Sequence, residues 1–268
     1  MHNHKFLDTV KNIFSIEELR RRIFNTVFFI LVFRLGSFIV LPGVDATKLT
    51  GKVQGILGLL DTFLGGAFSN ASILGLGIVP YISASIAVQL LTIALPYFHR
   101  LQKEGQSGRK RLNQITKVLT IFVALLQSVG YLSAAVPSDV LVVSRPFFTI
   151  IASIILTSGT MFCMWLGDRI TDKGIGNGVS MLIMVGIVSS LPGALLSELL
   201  DKGSQGALLL IIESMILFLI VVMVVMFTQA TRKVPIQYAK QMISNTLHNS
   251  NERQYLPLKL NSSGVMPI

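Results

Sequence analysis

Charge is scarce in this sequence. Only 13% of its 268 residues are Asp, Glu, Lys or Arg, roughly half the share found in an ordinary globular domain, and so few cannot cover a water-facing surface. Cysteine is nearly absent. Cys163 stands alone within an apolar stretch, which excludes an intramolecular disulfide and leaves no Cys-based metal site in view. The four histidines, His2, His4, His99 and His248, fall in polar segments, and the apolar stretches hold no pair of acidic residues. Chemistry inside a membrane needs a nucleophile with a base, paired carboxylates, or facing metal ligands. An enzyme is therefore not expected, and neither is a cofactor. A Gly-x-x-x-x-Gly-Lys phosphate loop is also missing, so energy would have to come from a partner. Residues 1–19 lack the continuous apolar core of a cleavable signal peptide.

What the sequence does contain is hydrophobic residues, at 51%, gathered in blocks at 22–41, 73–97, 115–136, 146–166, 178–196 and 207–230. Each holds about 20 residues, enough to span about 30 Å of hydrocarbon as a helix, so at least six crossings are expected. The basic residues sort by side. Counted over alternate loops, eighteen lie on one side: Lys5, Lys11 and Arg20–Arg22; Arg100, Lys103, Arg109, Lys110, Arg111 and Lys117; Arg169 and Lys173; Arg232, Lys233, Lys240, Arg253 and Lys259. The other side has Lys48, Lys52, Arg145 and Lys202, and Arg34 falls within a span. Basic loops stay cytoplasmic, which places the amino terminus and the loops at 98–114, 167–177 and 231–261 inside and attributes the net charge of +10 to topology.

Several stretches leave alternatives open. Phe6, Leu7, Val10, Ile13 and Phe14 recur at helical spacing and fit an amphipathic helix over 1–21 at the cytoplasmic interface, though a solvated tail fits too. Arg34 would be costly at mid-membrane. It either snorkels from the outer end of the first span or faces a water-filled interior. Residues 56–68 are apolar, too short to span, and end at Gly65-Gly66, a helix-stop signal. They suit a re-entrant segment surrounded by protein, or a helix resting on the outer interface. Pro80 permits a kink in the second span, and Gly174 to Gly178 permit a tight turn before the fifth. The polar stretch 231–261 reads as a long cytoplasmic loop. An apolar stretch begins at Gly264, so a seventh span is expected to start there and the chain to be part of a longer one.

Two helices carry similar faces. On the second span Ile78, Ile82, Ser85, Ile86, Gln89 and Thr92 fall within about 120° of one another. On the fifth, Ser180, Ile183, Ile187 and Ser190 do the same. Facing each other, they would line an hourglass whose apolar waist excludes ions by dewetting. The same residues would also serve as core or lipid-facing filler, with the hydroxyls bonding neighbouring helices.

Four motifs carry a resemblance. Gly75-Leu-Gly-Ile-Val-Pro-Tyr-Ile-Ser-Ala-Ser-Ile86 with Gln89-Leu-Leu, Lys103-Glu-Gly-Gln-Ser-Gly-Arg109, Asp172-Lys-Gly-Ile-Gly-Asn-Gly178, and the stretch from Tyr255 to Pro267 occur in the order found in the SecY family. Members of that family are the channel subunits of the bacterial Sec protein translocase. The resemblance implies an all-α polytopic transmembrane helical bundle with ten spans, built as two five-span halves of inverted topology around a pore with a side opening to lipid. This chain would hold the first half (22–196), the outer loop and sixth span (197–230), a cytoplasmic docking loop (231–261) and the start of the seventh span (262–268).

It further implies a pore ring to which Ile78, Ile82, Ile86, Ile183 and Ile187 contribute. It implies a plug over 57–68 that includes Leu60, Phe63, Leu64, Gly65, Gly66 and Ala67. Partner docking would fall on Arg109, Lys110, Arg111, Arg232, Lys233 and Lys240, with Tyr238-Ala-Lys240 matching a loop motif. The implied partners are SecE-type and SecG-type small subunits, the SecA motor ATPase or the ribosome, secretory polypeptides and the lipid bilayer. The implied location is the bacterial cytoplasmic (inner) membrane. Beyond Lys240 the sequence departs from the family's basic run, reading Gln-Met-Ile-Ser-Asn-Thr-Leu-His-Asn-Ser, which weakens any phosphate contact at that loop tip. The expected function is passage of unfolded polypeptides and sideways release of apolar segments. A secondary transporter for small solutes is the alternative, and it would need polar coordinating groups at the midplane.

Overall fold

The computed structural model describes residues 15–45, 58, 61, 64–137, 140–141, 143–202, 207–235 and 255–259. Among these the elements are α1 (Glu17–Gly36), α2 (Val79–Ala94), α3 (Pro96–Lys103), α4 (Gln106–Ala135), α5 (Arg145–Lys173), α6 (Gly178–Lys202), α7 (Ala207–Gln229), β1 (Thr231–Pro235) and β2 (Tyr255–Lys259). The chain falls into two compact units, Met1–Ala194 and Leu195–Ile268.

By length and composition α4, α5, α6 over Gly178–Glu198 and α7 over Ile211–Gln229 can each cross a membrane, and α2 with α3 makes a fifth candidate as one bent pair. Two of the six expected crossings therefore look different from the sequence expectation. The first is α1, which begins at Glu17, runs unbroken through Arg20, Arg21 and Arg22, and ends at Gly36. Its four arginines and two glutamates keep it out of the apolar class, and no break separates an interfacial segment ending at 21 from the span. The expected amphipathic residues 1–14 lie outside the described residues. The second is the block 73–97, which is helical only from Val79. Pro80 lies in the first turn of α2, where its missing N–H costs nothing. The break comes instead at Leu95, which is extended ahead of Pro96, and α3 leaves at 99°.

In the first unit α5 is the organising helix, with half of its apolar window buried. Small residues on it let neighbours approach closely. A Cβ on Gly159 would meet the Ile73 carbonyl, and one on Gly178 of α6 would meet the Gly167 carbonyl of α5. Two apolar clusters result. One gathers Leu41, Leu64, Ala67, Phe68, Ala71, Leu76, Tyr131, Leu132, Val136, Phe148, Ala152 and Leu156. The other gathers Phe33, Leu74, Ile78, Cys163, Leu166, Ile170 and Leu182. The segment after α1 is knitted by short bridges, Val40 with Ser72 and Val44 with Leu141, and by Leu41 N–H to Ala71 O and Ile73 N–H to Ile39 O, both 2.9 Å.

The expected loop 98–114 is mostly helical, since α3 and α4 meet at a tight turn through Gly105 (φ +72°). In the second unit α7 leaves its described side chains from 211 to 229 exposed apart from half-buried Glu213. An all-round apolar helix of this kind suits a lipid surrounding. Part of the expected cytoplasmic loop is an antiparallel two-stranded ladder, Thr231 opposite Lys259 through to Pro235 opposite Tyr255. Pro235 and Pro257 are accommodated because each strand of a pair keeps one free edge.

Candidate pore ring and plug turn

The isoleucine faces of α2 and α6 converge in part. Ile78, at the start of α2, is buried in the second cluster, and Ile82 and Ile183 pack against the same cluster half-buried. Ile86 and Ile187 are also half-buried. The named members of this cluster include no charged residue. Its polar ends differ from expectation at one point. Gln89 and Ser180 are exposed, but Thr92 is buried and its hydroxyl donates to Gln89 O at 2.6 Å, so it does not line a wet vestibule.

The stretch expected to be re-entrant ends in a tightly bonded turn. Gly65 and Gly66 both adopt positive φ, +63° and +86°, which glycine does without steric cost. The stop is where the Gly-Gly pair placed it. The Asp61 carboxylate accepts from Phe68 N–H and Ser69 N–H, each 3.0 Å, and its carbonyl accepts from Gly66 N–H at 3.0 Å. Tyr131 of α4 donates its hydroxyl to Phe68 O at 2.9 Å, and the two rings meet edge to face at 4.6 Å. Leu64, Ala67 and Phe68 are thereby core residues of the bundle, whereas Leu60 and Phe63 lie outside the described residues.

Arg34 has a partner that the sequence did not reveal. Its Nη1 donates to Gly65 O at 2.8 Å, and its guanidinium lies 5.2 Å from the centroid of the Phe38 ring. An arginine toward the outer end of the first block and a Gly-Gly stop signal were both visible, but nothing local linked positions 34 and 65. Tyr131 was missed for the same reason, whereas Asp61 bonds amides only five to eight residues ahead of it.

At the opposite end of α1 the turn between α5 and α6 is stitched down. Asn25 Nδ2 donates to Lys173 O at 3.2 Å, and Ile175 N–H donates to Thr26 Oγ1 at 3.1 Å. Gly178 N–H donates to Thr171 Oγ1 at 2.8 Å, and Asn177 Oδ1 caps α6 by accepting from Val179 N–H at 3.0 Å. Arg109, Lys110 and Arg111 are exposed in the first turns of α4, and Arg232 and Lys233 are exposed on β1 of the second unit. Lys240 lies outside the described residues.

The fold is a helical bundle whose long apolar helices can cross a membrane, with an uncharged cluster that includes Ile78 and a turn after Leu64 packed into its core. The SecY family profile matches residues 72–268. The SecY protein translocase subunit of Buchnera aphidicola subsp. Baizongia pistaciae is 41% identical over 264 residues, covering 94% of this chain and 59% of its own length. That of Escherichia coli K12 is 40% identical over 265 residues with the same coverage. The chain belongs to the SecY family, and it spans 59% of the length of these curated relatives.

Among solved structures, a protein-conducting channel superposes with a TM-score of 0.61 at 19% identity, over 90% of this chain and 52% of that one. Sec61 in the canine ribosome-channel complex from the endoplasmic reticulum gives 0.57 at 20%, over 84% and 51%. The SecY structure reported for a plug domain that stabilises the closed state and maintains a membrane seal gives 0.58 at 18%, over 90% and 52%.

Proposed function

We propose that this chain contributes the pore-forming first half of a Sec-type protein-conducting channel, passing unfolded polypeptides across the membrane and releasing apolar segments sideways into lipid. The observation that carries this reading is the meeting of Ile78, Ile82 and Ile183 in one uncharged cluster. Isoleucine side chains make no sequence-specific hydrogen bonds, so a ring of them admits diverse chains while dewetting excludes ions. Ile86 and Ile187 extend the ring along each helix, and 57–68 acts as the plug. The plug assignment is supported by the burial of Leu64 and Ala67 and by the seal described for the plug domain of a SecY channel of like fold.

Residues 22–196 act as the first five-span half, 197–230 as outer loop and sixth span, 231–261 as the cytoplasmic docking loop and 262–268 as the start of the seventh span. SecE-type and SecG-type subunits complete the channel. With no Gly-x-x-x-x-Gly-Lys phosphate loop in the sequence, a ribosome or the motor ATPase SecA supplies the energy. Exposed Arg109, Lys110, Arg111, Arg232 and Lys233, with Lys240, receive that partner, a role supported by the ribosome-bound Sec61 of like fold. The location that follows is the bacterial inner membrane with the amino terminus inside, the side on which the basic loops cluster.

The test is photocrosslinking in native membranes from Ile82 or Ile187 while a secretory chain is stalled in transit, with exposed Phe218 of α7 as control. Adducts at both positions and none at Phe218 are expected. No adduct at either, with the chain inserted, would remove the channel reading and favour a small-solute transporter.

A further inference from the structure

Arg34 brings a positive charge into an apolar helix, where it is costly unless it meets a compensating group. It stands in the last turn of α1, a position the helix dipole favours for a cation. Its donor is directed away from α1 itself and onto the Gly65 carbonyl, at 2.8 Å. That carbonyl belongs to a residue whose φ of +63° places it in a turn, outside any helical ladder. The Phe38 ring at 5.2 Å holds the guanidinium from another side.

A third element closes on the same spot. A Cβ on Gly65 would come within 2.5 Å of Ser189 Oγ, 2.6 Å of Arg34 Nη1 and 3.0 Å of Gly186 O. The turn is thus wedged between α1 and α6 with no room for one added methyl group.

We propose that Arg34 is the positioning residue of the channel seal. Its bond to the Gly65 carbonyl holds the 64–69 turn against Gly186 and Ser189 of α6, and opening requires that bond to break. This rests on the channel reading above, but the contact is tested separately. A charge-assisted bond in a weakly polar site is worth enough that its loss shifts the local opening equilibrium by about tenfold or more.

The experiment is amide hydrogen exchange on the full chain, co-produced with its membrane partners and held in lipid nanodiscs, comparing wild type with Arg34→Gln, Gly65→Ala and Phe38→Leu. Exchange at Gly66, Phe68 and Ser69, whose N–H groups bond within the turn, is expected to rise about tenfold in the first two variants and less in the third. Leu41 and Ile73, bonded in the adjoining bridges, should be unchanged. Chloride leak into vesicles carrying the same assemblies should rise in parallel and fall back in Arg34→Lys, which restores a cationic donor; a purely structural role would not predict that rescue.

Phe38 is exposed, so its variant reads the contact even where Arg34→Gln perturbs folding. Turn amides unchanged in both Gly65→Ala and Phe38→Leu would overturn the proposal, as would unchanged leak in Arg34→Gln. Crosslinks from Ile82 and Ile187 with unaltered turn exchange would sink the latch and leave the channel reading standing. The opposite pair of results would remove the channel and keep the contact.

Discussion

The two ends of α1 hold two turns in different ways. At the amino-terminal end the α5–α6 turn is fixed by side chains bonded to backbone, Asn25 to Lys173 O, the Arg22 guanidinium to Gly174 O and Thr26 from Ile175 N–H, and by glycine packing in which Gly178 sits directly on the Gly167 carbonyl. At the carboxyl-terminal end the 64–69 turn is held by one charged donor, one tyrosine hydroxyl and the Asp61 carboxylate just before it. The first arrangement leaves no slack, because any motion opens a backbone-to-backbone contact. The second consists of a few side-chain bonds that can each be exchanged for water. The turn proposed to open is therefore the one held mainly by side-chain bonds, even though both are well bonded.

Substitutions graded by size test this contrast. Gly178→Val should be the most damaging, on the order of 3 kcal/mol, because its side chain must enter the space of the Gly167 carbonyl and α6 must move off α5. The expected readout is loss of folded chain after membrane extraction. Thr26→Val removes the acceptor of Ile175 N–H in a buried site and should cost about 2 kcal/mol, read as a lowered thermal midpoint in detergent.

Tyr131→Phe removes one of the two donors to the Phe68 carbonyl, which keeps Ala71 N–H at 3.2 Å, and should cost about 1 kcal/mol, appearing as faster exchange confined to the 64–69 turn. If Tyr131→Phe lowered the global midpoint as much as Thr26→Val, the distinction between fixed and releasable joints would fail. Lys117→Met should do least, about 0.5 kcal/mol. Its 2.8 Å ion pair with Asp168 is 37% and 40% exposed, and pairs so open to solvent contribute little. A larger loss there would mean that the α4–α5 contact depends on charge as well as on packing.

Where the sequence was legible, local chemistry set the structure. The Gly65-Gly66 stop, the Gly174–Gly178 turn and the apolar blocks behind α4, α5, α6 and α7 all follow from residues within a turn or two of one another. The failures are non-local or a matter of competing rules. Pro80 looked like a kink because it falls inside an apolar block, but a proline at the first turn is free, and the true break was signalled by Leu95 preceding Pro96. The β1–β2 ladder joins residues more than a loop apart, with no alternation strong enough to mark either strand. The isoleucines of α2 and α6 could be placed on helix faces by spacing alone, but the burial of Ile78 and Thr92 depends on helices that spacing does not position.

α1 is an uninterrupted helix between its two attachments, and that continuity restricts how the outer turn can be let go. Thr26 and Arg34 lie a little over two turns apart, about 12 Å along the axis, on a rod that resists both stretching and twisting. Rotating it to withdraw the guanidinium would carry Thr26 with it and tear the inner joint. In the proposed release the guanidinium swings off the carbonyl or the turn backs away while the rod stays still, which makes α1 the stationary reference against which the 64–69 turn is measured.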